Sequence, residues 1–334
     1  MDFSFILEWI IKSAIVVLSL TAGFAYTTYY ERKVLAHMQV RVGPNRAGPL
    51  GLLQPVADGI KLIFKEELIP ANANKLIFIL APVITVIPAM VMTAVVPWGG
   101  SINLFGRVVS LQLADVNVGV LWILSVTSIS VYGITLAGWS SNNKYATLGG
   151  LRSTAQMISY ELALGLAYAG PVLLAGSMSL GAIVNAQSNL PFIILQPVAF
   201  VVYMLASLAE INRAPFDMPE AEQELTAGYH TEYSSMKFAL FFMAEYIKMV
   251  AVSMIGATLF FGGYKGPFID QFPLLGPVYL FIKTAAWMFI IIWLRATLPR
   301  IRYDRLMALG WKIMFPLALL NVIVTAVVVI LVGG

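Results

Sequence analysis

An all-α integral membrane protein of about eight transmembrane helices is the fold class that the sequence predicts, and three observations predict it. The 334 residues are 59% hydrophobic and only 11% charged, roughly half the charged fraction of an ordinary soluble domain. Apolar runs near 20 residues recur along the whole length, and each can cross a hydrocarbon core about 30 Å thick at about 1.5 Å per residue. The strict alternation in short segments that marks a membrane β-barrel is absent, so helices are the only spanning element left.

The expected spans lie near residues 6–29, 76–97, 117–138, 155–175, 192–210, 237–262, 277–296 and 312–332, within a single membrane domain of residues 1–334. Asp2, Glu8 and Lys12 stand where a cleaved signal would carry a basic flank and an uncharged core, so the first helix is expected to be retained. Glu8 and Lys12 are spaced for a local i,i+4 ion pair. The connection from about 31 to 75 is too long for a turn. Its Gly43–Gly51 stretch reads as irregular, and Leu53, Val56, Ile60, Ile63 and Phe64 then recur at helical spacing with Asp58, Lys61 and Lys65 on other positions. That pattern predicts an amphipathic helix at the membrane surface, where it serves either as plain packing or as a lintel over an opening for a lipophilic substrate. Pro82, Pro88, Pro171, Pro197 and Pro316 fall within spans and should bend the helices they occupy.

Charge sets the expected topology. Sixteen basic residues sit in one set of connections: Arg32, Lys33, Arg41, Arg46, Lys61, Lys65, Lys75, Lys144, Arg152, Arg213, Lys237, Arg295, Arg300, Arg302, Arg305 and Lys312. The opposite set holds only Arg107 and Lys265. The first, third, fifth and seventh connections are therefore expected on the cytoplasmic side, with both termini outside. The net charge of +4 follows from this orientation, and no basic stripe with interleaved aromatics points to nucleic acid.

Composition also excludes chemistry. With no cysteine, the chain can supply no thiolate to an iron–sulfur cluster and form no disulfide. His37 and His230 both fall in expected polar connections, whereas a haem-binding bundle usually needs axial histidines projecting inside it. No haem, metal or flavin is expected on this chain.

Two groups of ionisable residues break the membrane pattern. Residues 210–233, EINRAPFDMPEAEQELTAGYHTEY, carry Glu210, Asp217, Glu220, Glu222, Glu224 and Glu232 against Arg213 alone. Crowded carboxylates can exchange protons near neutrality, although a solvated acidic loop docking on a basic partner is the commoner use of such a pattern. Glu161, Glu245, Lys248 and Lys283 lie inside spans, where charge is costly and normally faces the bundle interior. Glu245 follows Lys237, and Glu161 follows Arg152, by a distance that puts both roughly 12–14 Å along helices entered from the cytoplasmic side. Lys248 is expected to pair with Glu245 or with another helix's acid. Together the acids suggest a staircase of carboxylates from the acidic connection to mid-membrane, the layout a proton path requires.

Four segments carry a family resemblance: GPNRAGPLGLLQPVADGIKLIFKEE, GWSSNNKYATLGGLRSTAQMISYE, EINRAPFDMPEAEQELTAGYHTEYSSMKFALFFMAEY and LPRIRYDRLMALGWK. In this order, over nearly the whole chain, they resemble the H-subunit family of the proton-pumping NADH:quinone oxidoreductases, respiratory complex I. The resemblance implies a membrane subunit that joins the membrane arm to the peripheral arm and forms much of the quinone chamber, with quinone entering between the first, surface and sixth helices. It implies quinone as substrate, FMN and iron–sulfur clusters on partner subunits, and no cofactor bound by this chain. It assigns Glu161, Glu210 and Glu245 to a polar proton path. Asp217, Glu220, Glu222 and Glu224, with Arg213 and Phe216, fall to the quinone chamber and acidic loop, and Arg32, Arg41 and Arg46 to the face meeting the peripheral arm. The third span has no acid, where some relatives place a glutamate.

The implied partners are the other membrane and peripheral subunits, quinone and the lipid bilayer, with no nucleic acid, in a bacterial inner membrane. Catalytic activity is expected of the assembled complex and not of the isolated chain. The same role in a complex fed by ferredoxin, reduced deazaflavin or hydrogen, a stand-alone ion or metabolite transporter, and a structural membrane anchor are the competing readings.

Overall fold

The computed structural model describes residues 3–104, 107–217, 227–269 and 271–333. Among them are the helices α1 (Phe3–Met38), α2 (Gln54–Phe64), α3 (Lys75–Val91), α4 (Gly119–Ser140), α5 (Lys144–Ala175), α6 (Leu180–Ala186), α7 (Phe192–Leu195) and α8 (Pro197–Glu210). They are followed by α9 (Ser235–Phe260), α10 (Gly276–Thr297), α11 (Tyr303–Ala308) and α12 (Phe315–Gly333). A hairpin, Ser101–Leu104 against Arg107–Ser110, interrupts the helices.

Among the described residues, seven helices are long and apolar enough to cross a membrane: α1, α3, α4, α5, α9, α10 and the α11–α12 run. The fifth expected span is the exception. Its residues form α7 and then α8 of 14 residues, separated at Gln196. Fourteen residues reach only about 21 Å. Pro197 begins the helix without a donor, while Gln196 bonds to Thr325 at 2.8 Å and to Asn321 at 2.9 Å on α12, which holds the break in place. A short helix at membrane depth is tolerated only where protein surrounds it. Ala199, Val202, Tyr203 and Ala206 to Glu210 are accordingly all buried.

Burial orders the bundle. The apolar window of α9 is 67% buried, whereas those of α1 and α12 are 6% and 17% buried, so α9 is central and the chain's two ends lie at its edge. Helix α3 packs against α4 and α9, α5 packs against α4, α8 and α12, and α1 crosses α9 and α10. Without a hydrophobic drive between helices in lipid, small residues that allow close approach take over. At Gly133 an added Cβ would collide with Thr85 Oγ1 and come within 2.9 Å of the Ala81 carbonyl oxygen.

The structure moves two expected boundaries. Helix α1 runs on to Met38, so Glu31, Arg32 and Lys33 are helical, and His37 lies in its last turn. Helix α5 begins at Lys144, capped by Asn143, about three turns before the expected start near 155. In both cases hydropathy marks where apolar residues cease and not where backbone hydrogen bonds cease, and the helices project beyond the hydrocarbon. The amphipathic helix appears as α2, packed on α1 and α9. Its Val56, Ile60, Ile63 and Phe64 are exposed.

Candidate functional site

The connection from Ile211 to Ser234 decides where the charges go. Every described residue in 211–217 and 227–234 is buried or half-buried, which removes the solvated-loop reading for these stretches. Because α8 ends inside the bundle, the chain leaving it is still within protein. Gln156 on α5 anchors that exit by donating to the carbonyls of Ala209 at 2.9 Å and Phe216 at 2.7 Å. Phe216 is fully buried against Tyr160, with ring centroids 5.5 Å apart.

Arg213 is the hub. Its Nη1 donates to Glu31 Oε1 on α1 at 3.0 Å, its Nε lies 2.6 Å from Glu245 Oε1 on α9, and its guanidinium sits 4.5 Å over the Tyr246 ring. Burial by itself opposes its charge, but Glu245 and Glu31 outweigh burial and hold the guanidinium proton more tightly than usual. Glu31 also accepts from Arg295 on α10, so two acids and two arginines balance. A second ion pair lies deeper, with Lys248 on α9 donating to Glu210 at the end of α8 at 3.3 Å. Lys248 therefore pairs with another helix's acid, and Glu245 turns to Arg213. The outlying Glu8 and Lys12 form their expected pair at 2.6 Å.

A cavity of about 20 Å³ touches both ion pairs, with Glu245 of the first, Glu210 and Lys248 of the second, and His230, Asn212 and Thr85 helping to line it. Glu161 does not line it. That acid is half-buried on α5 and accepts from Ser128 of α4, so a serine hydroxyl is what the acid-free third span offers it. Arg32 pairs with Asp58 of α2 at 2.5 Å, while Arg41 bonds to Gln39, and Arg41 and Arg46 are exposed. The carbonyl of Asp217 accepts from Arg300. Glu220, Glu222 and Glu224 lie outside the described residues.

Sequence reasoning missed Glu31, Arg295 and His230. Glu31 had one mark: it is the only acid between Lys12 and Asp58. His230 is 7% exposed and not in a solvated connection, and burial pushes its pKa down to about 4. Its rings of contact are Tyr229, Phe238 and Phe242.

Long apolar helices closed around buried, balanced ion pairs define a polytopic membrane protein that keeps charge inside the bilayer. Residues 11–326 match the family model described as NADH dehydrogenase. The chain is similar to the NADH-quinone oxidoreductase H subunit of Protochlamydia amoebophila, 53% identical over 302 residues that cover 90% of this chain and 91% of that one. It is 52% identical over 324 residues to the H subunit of Thermomicrobium roseum, covering 94% of each. With an H subunit of Geobacter metallireducens it shares 51% over 320 residues, 96% of each. The chain belongs to this NADH dehydrogenase family, as a membrane subunit of an oxidoreductase complex.

Proposed function

We propose that the chain forms much of the quinone chamber of a proton-translocating NADH-quinone oxidoreductase and couples quinone reduction to proton movement. The observation that carries this reading is the run of buried charge from Glu31 on α1 through Arg213 to Glu245 on α9 and, by way of the small cavity that both pairs touch, to the Glu210 pair. Such charges are expensive in a bilayer and are normally retained for ion or proton movement. Their arrangement also conducts a signal. Arg213 bridges two carboxylates, so a change of charge near Glu31 alters the attraction that Arg213 exerts on Glu245, with little screening in so dry a site.

Reduction of a quinone to a quinol consumes two electrons and two protons. In this reading the electrons come from NADH through FMN and iron–sulfur clusters on partner subunits, and the present chain supplies the lipophilic cavity and the acids. Quinone passes between α1, α2 and α9, which meet one another in the fold. Arg213, Phe216, Asp217, Glu220, Glu222 and Glu224 act near the quinone, Glu161, Glu210 and Glu245 carry protons, and Arg32, Arg41 and Arg46 meet the peripheral arm. The protein resides in the bacterial inner membrane, its basic connections in the cytoplasm and both termini outside.

The test is glutamine substitution of Glu161, Glu210 and Glu245 in the assembled complex, which keeps size and hydrogen-bonding reach while abolishing titration. Quinone reductase turnover and proton pumping should fall together by at least tenfold. Substitutions at the loop acids should instead change apparent quinone affinity more than the pumping ratio. Normal turnover and pumping in the Glu210→Gln and Glu245→Gln variants would remove these residues from the mechanism.

A further inference from the structure

The cavity that touches both ion pairs has a wall that the carboxylate path does not use. His230 enters it from the turn Gly228–His230, and among the described residues its Nδ1 has no hydrogen-bond partner. Glu210 also lines the cavity, and its buried Oε2 is likewise without a hydrogen-bond partner among the described residues. Unpaired buried polar atoms are costly, and two of them at one small cavity call for a common partner. The volume, about 20 Å³, is enough to hold a bound water. Such a water needs two to four polar contacts, and His230, Glu210, Asn212 and Glu245 all line the cavity.

We propose that His230 is a proton-relay residue of this cavity, joined through one bound water to Glu210 and Glu245. The transfer is balanced: a carboxylic acid at Glu210 or Glu245 gives its proton to the water, the water gives one to Nδ1, and a carboxylate and an imidazolium remain. The return step reverses it. The groups facing His230 decide when the proton moves. Helix α8 presents Glu210, α9 presents Glu245 and Lys248, its own segment presents Tyr229, and α3 and α4 present only Thr85 and Ile134. Arg213 acts on Glu245 from behind. A shift of Arg213 towards Glu31 or of Lys248 away from Glu210 would therefore keep the proton on the acid, and the reverse shift would favour the imidazolium.

This inference rests on the quinone-coupling reading above. Its test uses the assembled complex in vesicles with His230→Phe, which suits the aromatic surroundings of Phe238 and Phe242, and His230→Gln, which retains a hydrogen-bonding tip but does not titrate. Turnover and proton uptake are measured from pH 5 to 9, with wild type and Glu245→Gln alongside. The expected result is a tenfold or greater loss of coupled turnover in His230→Phe. His230→Gln should keep a larger share but with an altered acid limb of its pH profile. Wild-type turnover, pumping and pH profile in His230→Phe would overturn the proposal, and if that variant fails to assemble, an unchanged profile in His230→Gln overturns it equally. Absence of quinone-linked pumping in the wild type, or full activity in Glu245→Gln, would instead count against the coupling reading itself.

Discussion

His230 shows how burial converts an ordinary histidine into a pH-dependent liability. Its pKa falls from 6.5 to about 4 in the folded chain, so between those values the unfolded chain binds more protons than the folded one. Stability therefore rises with pH through this window: its contribution is intact above about 6.5 and is lost as pH falls towards 4. The limit of that loss is on the order of 3 kcal/mol. The thermal midpoint of the purified complex should fall between pH 7 and pH 5, and the fall should be smaller in His230→Phe. Equal slopes in the two proteins would mean that this imidazole is solvated. The same scale explains what was legible. Glu210 and Glu245 stood out because an acid in an apolar run is rare. Glu31 and Arg295 did not, because each sits where a helix end and a basic connection look alike in sequence.

Among the elements, α9 and α10 depend on a clamp that hydropathy marks only as an oddity. Lys283 on α10 donates to the carbonyls of Phe261 at 2.8 Å, Gly263 at 2.7 Å and Lys265 at 2.7 Å. The cation satisfies three carbonyls of the turn that follows α9 and, beside that helix's C-terminal end, complements its dipole. Lys283→Met keeps the stem's apolar bulk while removing all three bonds, and it should destabilise by about 2–4 kcal/mol. The readouts are a lower thermal midpoint and faster proteolysis at residues 261–265; an unchanged midpoint would show that the clamp is dispensable. Helix α8 carries the complementary lesson. An apolar stretch of span length was visible in the sequence, but the break at Gln196 was not, because its bonds come from Thr325 and Asn321 far along the chain.

For the whole molecule, the basic residues predict which side each connection faces. The chain has no cysteine, so a single introduced thiol reports without background. Ser141 is the natural choice from sequence but is 3% exposed, whereas Lys144 at the start of α5 is exposed. Lys144→Cys should react with an impermeant maleimide only from the cytoplasmic face of oriented vesicles. Labelling from outside would invert the topology.

By itself the sequence determined that the chain lives in a membrane, that its spanning elements are helices, that it supplies no thiolate to a metal centre, and which family it resembles. These follow from composition and local pattern, since solvent transfer and backbone satisfaction act on each segment separately. Only the tertiary structure decided which charges meet. Glu31, Arg213 and Glu245 come from α1, the 211–234 connection and α9, and they converge because α8 stops short inside the bundle. Ion pairing falls off over a few ångströms, and neither that distance nor the depth at which a helix ends is a property of any local stretch of residues.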